Sequence, residues 1–512
     1  MLNYLGYAIR ENNIILKAYY SFVLYRGDFL TIGLMGKYSR LGKNTVLVFI
    51  GNASSKLVGL LMLPFYTRCL SVEDYGTTDI INVYVTFLLS IVSCCIAESI
   101  FIFPKGQTYE KQREFLSSGL AFLIIAFLVT GIIFAGVSIV ADSYSIENSF
   151  TQNIWLIYAL LIAQLCQQLF QQFARSIDRI MVFSVAGIVL TASTALFSFF
   201  LIPHLGVVGF VLSLALANWA TTAYSLFCST AYRFISLSAI RWDRCREMLK
   251  YSIPLIPNGI MWWLVSALNR PIMEANLGMH AIGLFAVANK FPAILTMLFA
   301  VFSTSWQISV IEEYGKEGFN EFYNKVYKYV VLILVLLFII ITLCSKMLIY
   351  IFASSEYIGA WIYIPVLTLG TVFSAISSMS GTVFSAVKTS KYFFYSSVWG
   401  AMTAVLLNFL LIPYWGLMGA AVSVLLSFAV MALSRILYSR SYIELRNNSS
   451  LLIMILLSAL ILILTIYLSS NRVLYYALVL LVTISILLIN RNICVDVKAI
   501  YNKIRKRNEV LH

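Results

Sequence analysis

The chain has 512 residues, of which 61% are hydrophobic and 11% charged, and its mean hydropathy is +0.88. Such a composition excludes an ordinary water-soluble domain and predicts an all-α integral membrane protein. The net charge of +14 would suit a nucleic-acid partner, but its distribution along the chain makes that partner unnecessary.

Residues 1–43 form a basic arm carrying Arg10, Lys17, Arg26, Lys37, Arg40 and Lys43. It lacks the clean apolar core and small-residue cleavage site of a removable signal peptide, so the first span is expected to stay and direct insertion. A bilayer core of about 30 Å takes roughly 20 helical residues per crossing. On that measure hydropathy gives fourteen candidate spans. Six lie in 44–231 and six in 251–438, joined by a basic linker at 232–250. Two more, 450–469 and 473–490, precede a basic tail at 491–512. The last pair is almost free of central polar residues and reads as a lipid-facing addition or a lining for a lipid tail.

With the N-terminus inside, 30 of the 36 Lys and Arg fall in cytoplasmic segments. Arg68, Lys346 and Arg472 fall outside, and Lys56, Arg270 and Lys290 lie within spans. That asymmetry sets both termini in the cytoplasm. The cations of the tail then face anionic inner-leaflet lipid.

The two six-span segments share an irregular pattern. Pro64, Leu70, Tyr75-Gly76 and Asn82 are matched, 207 residues on, by Pro271, Leu277, Ile282-Gly283 and Asn289. Leu201-Ile202-Pro203 with Gly206 and Gly209 is matched at an offset of 210 by Leu411-Ile412-Pro413 with Gly416 and Gly419. Because six spans return the chain to its starting side, the two lobes are parallel repeats related by an axis along the membrane normal. Such a duplication points to a transporter whose site lies between its lobes.

Motifs for catalysis are missing. Gly36-Lys37 is followed by Tyr38 and preceded at the required spacing by Thr31, so no P-loop forms. His204, His280 and His512 have no metal-binding spacing, and no serine sits in a nucleophile elbow. The eight cysteines show no C-x-x-C spacing and are expected to be free, and no cofactor is implied. External connections are short, with about a dozen residues at 141–152, which leaves no room for an outer catalytic domain. The chain is therefore expected not to be an enzyme.

Charges inside spans carry the information. Lys56 lies about 18 Å along its helix from residue 44, too deep to snorkel easily, and shares a face with Asn52, Ser55 and Gly59. Its alternatives are ligand binding or pairing with a carboxylate such as Glu98. Arg270 precedes the helix-breaking Pro271, where freed backbone groups suit a cavity wall. Lys290 edges a stripe of Asn289, Thr296, Ala300, Ser303 and Gln307, which could equally be helix-packing glue. Three cations in apolar surroundings select an anionic ligand, since guanidinium grips phosphate in a fork and ammonium adds a point charge. Gln164, Gln168, Gln171 and Arg175 follow helical spacing on the fourth span, with Gln167 and Gln172 beside them. Their amides suit sugar hydroxyls or helix–helix bonds alike. The expected ligand contacts are thus Lys56, Arg270 and Lys290 with Asn52, Asn82, Asn269, Asn289 and Gln307. With no nucleotide motif, the expected driving force is an ion gradient or the membrane potential, with Asp79, Glu98 and Glu274 as coupling candidates.

The run Leu63-Pro64-Phe65-Tyr66-Thr67-Arg68, then Leu70-Ser71 and Asp74-Tyr75-Gly76, resembles the first-helix signature of Wzx-type polysaccharide flippases. Tyr251 to Pro257, Arg270, Gly283-Leu284-Phe285 and Lys290 are similar to that family's seventh and eighth helices. The resemblance covers roughly 44–445. It implies the multidrug/oligosaccharidyl-lipid/polysaccharide exporter fold, with two MATE-like lobes, in a bacterial cytoplasmic membrane. It further implies that an undecaprenyl-diphosphate-linked oligosaccharide crosses to the outer leaflet for O-antigen, capsule or exopolysaccharide synthesis. Membrane lipids, a polysaccharide polymerase and assembly proteins would be its partners, and Lys56, Arg270 and Lys290 would bind diphosphate or acidic sugar. In one departure, Asn269 stands where the family commonly has Asp before Arg270, leaving Arg270 freer for ligand or paired with Glu274. The alternatives are a multidrug cation exporter of the same superfamily and a membrane polysaccharide polymerase.

Overall fold

The computed structural model describes residues 59–387, 389–444, 449–468 and 472–490. The basic arm, Asn52, Lys56 and the basic tail lie outside the described residues. Every regular element among the described residues is helical.

In chain order, α1 is Leu63–Cys69, α2 Val72–Val92, α3 Ile96–Ile102, α4 Tyr109–Tyr144, α5 Ser149–Gln152, α6 Ile154–Ser176 and α7 Ile180–Cys228. The linker holds α8, Trp242–Ser252. The second lobe comprises α9 Ile256–Ser266, α10 Asn269–Leu277, α11 Met279–Lys290, α12 Pro292–Glu313, α13 Phe319–Phe352, α14 Tyr363–Ala386 and α15 Lys391–Ser439. Finally, α16 is Ser449–Leu468 and α17 Arg472–Ile489. Helix starts in the two lobes correspond at offsets of 207 (α2 and α11), 210 (α4 and α13) and 211 (α7 and α15).

Eight described helices are long and apolar enough to cross a membrane, with two shorter apolar helices at the C-terminal end. Helix length alone thus does not establish the expected fourteen. Two of the eight, α7 and α15, have 49 residues each, which as straight helices would run about 74 Å. Each instead folds back on itself. Ser198 and Ser213, fifteen residues apart on α7, place their hydroxyl oxygens 2.9 Å from each other, and Trp399 reaches Tyr438 across α15 at 3.2 Å. The turns sit at Gly206 (φ 54°) and Gly416 (φ 56°), a backbone region that only glycine occupies without strain. The second shared glycine lets the arms close up: a Cβ at Gly209 or Gly419 would lie 2.3 or 2.2 Å from the carbonyl oxygen of Leu201 or Leu411.

Helix α2 starts where Ser71 Oγ accepts a bond from Asp74 N–H at 3.1 Å, with Glu73 and Asp74 in the first turn to meet the helix dipole. The break between α9 and α10 falls at Ala267–Leu268 rather than at Pro271 itself. The physical reason is that a proline ring collides with the carbonyl four residues earlier, here that of Ala267.

The linker packs on the first lobe. Met248 is fully buried among Ile96, Ile100, Phe115 and Phe173, and Ser99 Oγ donates to Met248 O at 2.8 Å. Ser117 Oγ donates to Phe234 O at 3.0 Å, Ser118 Oγ accepts from Arg241 N–H at 2.9 Å, and Arg244 pairs with Glu114 at 3.1 Å. The start of α4 therefore marks the linker end of the protein. Its 36 residues carry the chain about 54 Å away, to the far end, where α5 begins.

Candidate functional site

The lobes meet at the far end, through α2 and α11. Gly76 and Gly283 are repeat mates, and each abuts the other helix: a Cβ on Gly76 would lie 2.2 Å from Met279 O, and one on Gly283 2.0 Å from Val72 O. Since Val72 and Met279 are themselves repeat mates, the contact is reciprocal about the lobe-relating axis.

Polar ties surround this crossing. Arg270, only 4% exposed, restarts the helix after the break, and its Nη1 donates to Ser266 O at 2.6 Å. Arg270 N–H has turned to Ala267 O, so the guanidinium replaces the amide that Ser266 O would otherwise receive. Nη1 also donates to Asn269 Oδ1 at 2.9 Å, and Nε donates to Asp79 Oδ2 of the first lobe at 3.2 Å. The Phe285 ring lies 4.8 Å from Cζ. The cation is thereby neutralised across the lobe boundary.

The expected Arg270–Glu274 alternative is not formed. Glu274 instead accepts from Tyr84 O–H at 3.0 Å and from Ser149 N–H at 2.6 Å, both of the first lobe. Trp263 Nε1 donates to Val83 O at 3.0 Å, Tyr357 O–H to Ser71 O at 3.1 Å, and Ser354 N–H to Thr67 Oγ1 at 3.2 Å. Sequence reasoning missed Tyr84, Ser149, Trp263 and Tyr357. Their only signal was a polar handle on a large ring or a helix start, which many residues here share.

Lys290 is placed differently. It lies eleven residues along α11 from Met279, about 16 Å toward the linker end from the seal. It is partly exposed and has no carboxylate partner among the described residues. On α1, the Tyr66 hydroxyl pairs with Ser198 Oγ at 3.3 Å, and Ser198 in turn meets Ser213. Asn82 and Asn289 are half-buried, with Asn82 Nδ2 donating to Thr78 O within its own helix. Asn269 is 1% exposed, and its Nδ2 has no partner among the described residues.

Other expected residues lie apart. Gln307 is exposed on α12, about 26 Å of helix from Lys290, and the Phe291–Pro292 interruption separates Asn289 from the rest of its stripe. Glu98 is exposed on α3, beyond a joint where Cys94 (φ 47°) and Cys95 (φ 55°) both adopt the left-handed conformation. Arg435, counted among the cytoplasmic cations, lies within the α15 hairpin and is 1% exposed. It is held by Ser396 Oγ at 3.0 Å, Ser377 O at 3.3 Å and the face of Phe393. These neutral partners bind α15 to α14. No group of three or more His, Cys, Asp or Glu that could hold a metal occurs among the described residues.

The family described as "polysaccharide biosynthesis protein" matches residues 41–308, and the MatE family matches 256–410. No curated protein matches by sequence. Among solved structures, an inward-facing multidrug resistance MATE family transporter of the MOP superfamily superposes with a TM-score of 0.61 at 12% identity, covering 77% of this chain and 94% of that one. The lipid II flippase MurJ, in an inward closed conformation, gives 0.60 at 14% identity, covering 89% and 99%. An outward-facing MATE family transporter gives 0.53 at 13% identity, covering 78% and 94%. The fold is that of the MOP superfamily.

Proposed function

Because the chain belongs to the polysaccharide biosynthesis protein family, we propose that it is a flippase for a lipid-linked oligosaccharide, working by alternating access. It is a membrane transporter and not an enzyme. The observation that carries the reading is Lys290, a cation with no carboxylate partner among the described residues, on the linker side of the α2–α11 crossing. In this reading the lobes part on the linker side to receive substrate.

The charge distribution supports taking the linker end as cytoplasmic with both termini inside, and in this reading the membrane is a bacterial cytoplasmic membrane. An undecaprenyl-diphosphate-linked repeat unit fits the site chemically. Its diphosphate would meet an ammonium that no carboxylate among the described residues neutralises, while the polyprenyl chain stays in lipid. A cationic drug would meet repulsion from Lys290. The product would feed O-antigen, capsule or exopolysaccharide assembly, with the polymerase acting next. Asp79 and Glu274, which hold the seal, are the carboxylates through which an ion gradient or the membrane potential would release it.

The test is the leaflet distribution of the lipid-linked oligosaccharide in Lys290→Ala cells at matched protein level. We expect at least a tenfold fall in outer-leaflet substrate, and normal export would overturn the assignment.

A further inference from the structure

One cation of the first lobe is oriented yet unpaired. Arg175 ends α6 beside the linker, where Phe173 on the same turn meets Phe234 at 5.2 Å between ring centres. Its guanidinium carbon lies 4.0 Å from the centre of the Phe101 ring on α3 and 5.3 Å from that of Phe183 on α7. Gln171 Nε2 donates to Phe183 O at 3.1 Å, which fixes the second ring's backbone to α6. Arg175 is half-buried, and among the described residues it makes neither a hydrogen bond nor an ion pair. Asp178 stands three residues on in the chain and Glu98 three residues before Phe101, but neither is an ion-pair partner of Arg175 among the described residues. Lys105 Nζ lies 5.7 Å from the same Phe101 ring centre, so the two cations are no more than 9.7 Å apart.

This arrangement is chemically specific. Ring faces hold a guanidinium by its flat sides and leave its N–H edge free. A carboxylate partner would have consumed that edge. An unpaired fork with an ammonium nearby suits the oxygens of a phosphate ester or diphosphate better than it suits a neutral sugar.

We propose that Arg175 and Lys105, ordered by Phe101 and Phe183, form a second phosphate-binding position at the linker end. It would receive the diphosphate of the lipid-linked substrate before that group reaches Lys290, and it rests on the flippase reading above. In this assignment the nearby glutamines serve mainly to position: Gln167 donates to Gln171 at 2.5 Å, and Gln171 holds Phe183 O.

The probe is a radiolabelled, water-soluble short-chain prenyl diphosphate, bound to the full chain in phosphatidylcholine nanodiscs. Wild type, Arg175→Gln, Arg175→Lys and Phe101→Leu are compared, each also in a Lys290→Gln background to isolate this position. We expect Arg175→Gln to weaken binding at least tenfold. Arg175→Lys and Phe101→Leu keep the charge but lose the stacking and should weaken it three- to fivefold. Affinity within twofold of wild type in Arg175→Gln overturns the proposal. Should that variant fail to fold, unchanged affinity in both conservative variants does the same. Competition by inorganic pyrophosphate supports a phosphate site. Equal loss of the probe when phosphatidylglycerol is added to the nanodiscs assigns the site to bulk lipid and overturns the substrate role. Normal flipping and binding in Arg175→Gln, alongside lost flipping in Lys290→Ala, would refute this position and leave the flippase reading standing.

Discussion

Arg270 and Asp79 each depend on the other because they meet in apolar surroundings, with side chains 5% and 22% exposed. Removing one partner strands a charge. Breaking a fully buried pair costs ~3–5 kcal/mol, and the residual exposure of Asp79 lowers that to about 2–3 kcal/mol. Arg270→Gln and Asp79→Asn should each destabilise the protein by this amount in denaturant unfolding in micelles. The double variant should cost clearly less than the two single effects combined, since neither charge is then left alone. Additive losses would show that the pair carries no coupling energy. Neutralising Arg270 therefore tests the seal, whereas neutralising Lys290 tests the ligand site.

At the scale of elements, the shared glycines follow from how closely helices approach. Helices α2 and α11 cross with no space for a Cβ on either Gly76 or Gly283, because the obstructing atoms are backbone carbonyls and not side chains that could rotate away. Gly283→Ala must part the two lobes, and overpacking of this kind costs ~1–3 kcal/mol. Gly136 on α4 is the control, since a Cβ there meets nothing within 4 Å. Gly136→Ala should leave the melting temperature unchanged, or raise it through better helix propensity worth up to about 1 kcal/mol. If the two alanines behaved alike, the crossing would not be the limiting contact. Pro271 acts through the same backbone geometry. Its ring displaces the break to Ala267, frees Ser266 O, and so creates the acceptor that holds Arg270 in place.

For the whole molecule, parallel repeats that cross closely at the far end predict rocking motion. Spin labels at Ile146 and Ile358, 48% and 49% exposed, report on the far end. Labels at Leu237, 89% exposed, and at Arg440 report on the linker end. During transport the first distance should lengthen as the second shortens. Changes of one sign at both ends would exclude alternating access by rigid lobes.

Much of the fold was legible in the sequence because its causes are local. Apolar runs of bilayer length, helix-breaking prolines, tight-turn glycines and a 207-residue repeat can all be read without knowing what touches what. The candidate site was legible only in its ingredients. Composition marked Arg270, Asp79 and Glu274 as charges in apolar spans, yet their partners lie 191, 190 and 125 residues away in the chain. No periodicity reaches across such separations. By itself the sequence determined a duplicated membrane transporter with a few costly buried charges. Tertiary structure decided which of those charges cancel across the lobe boundary and which, like Lys290, stay unpaired, because neutralisation depends on distances of a few ångströms between segments that only packing brings together.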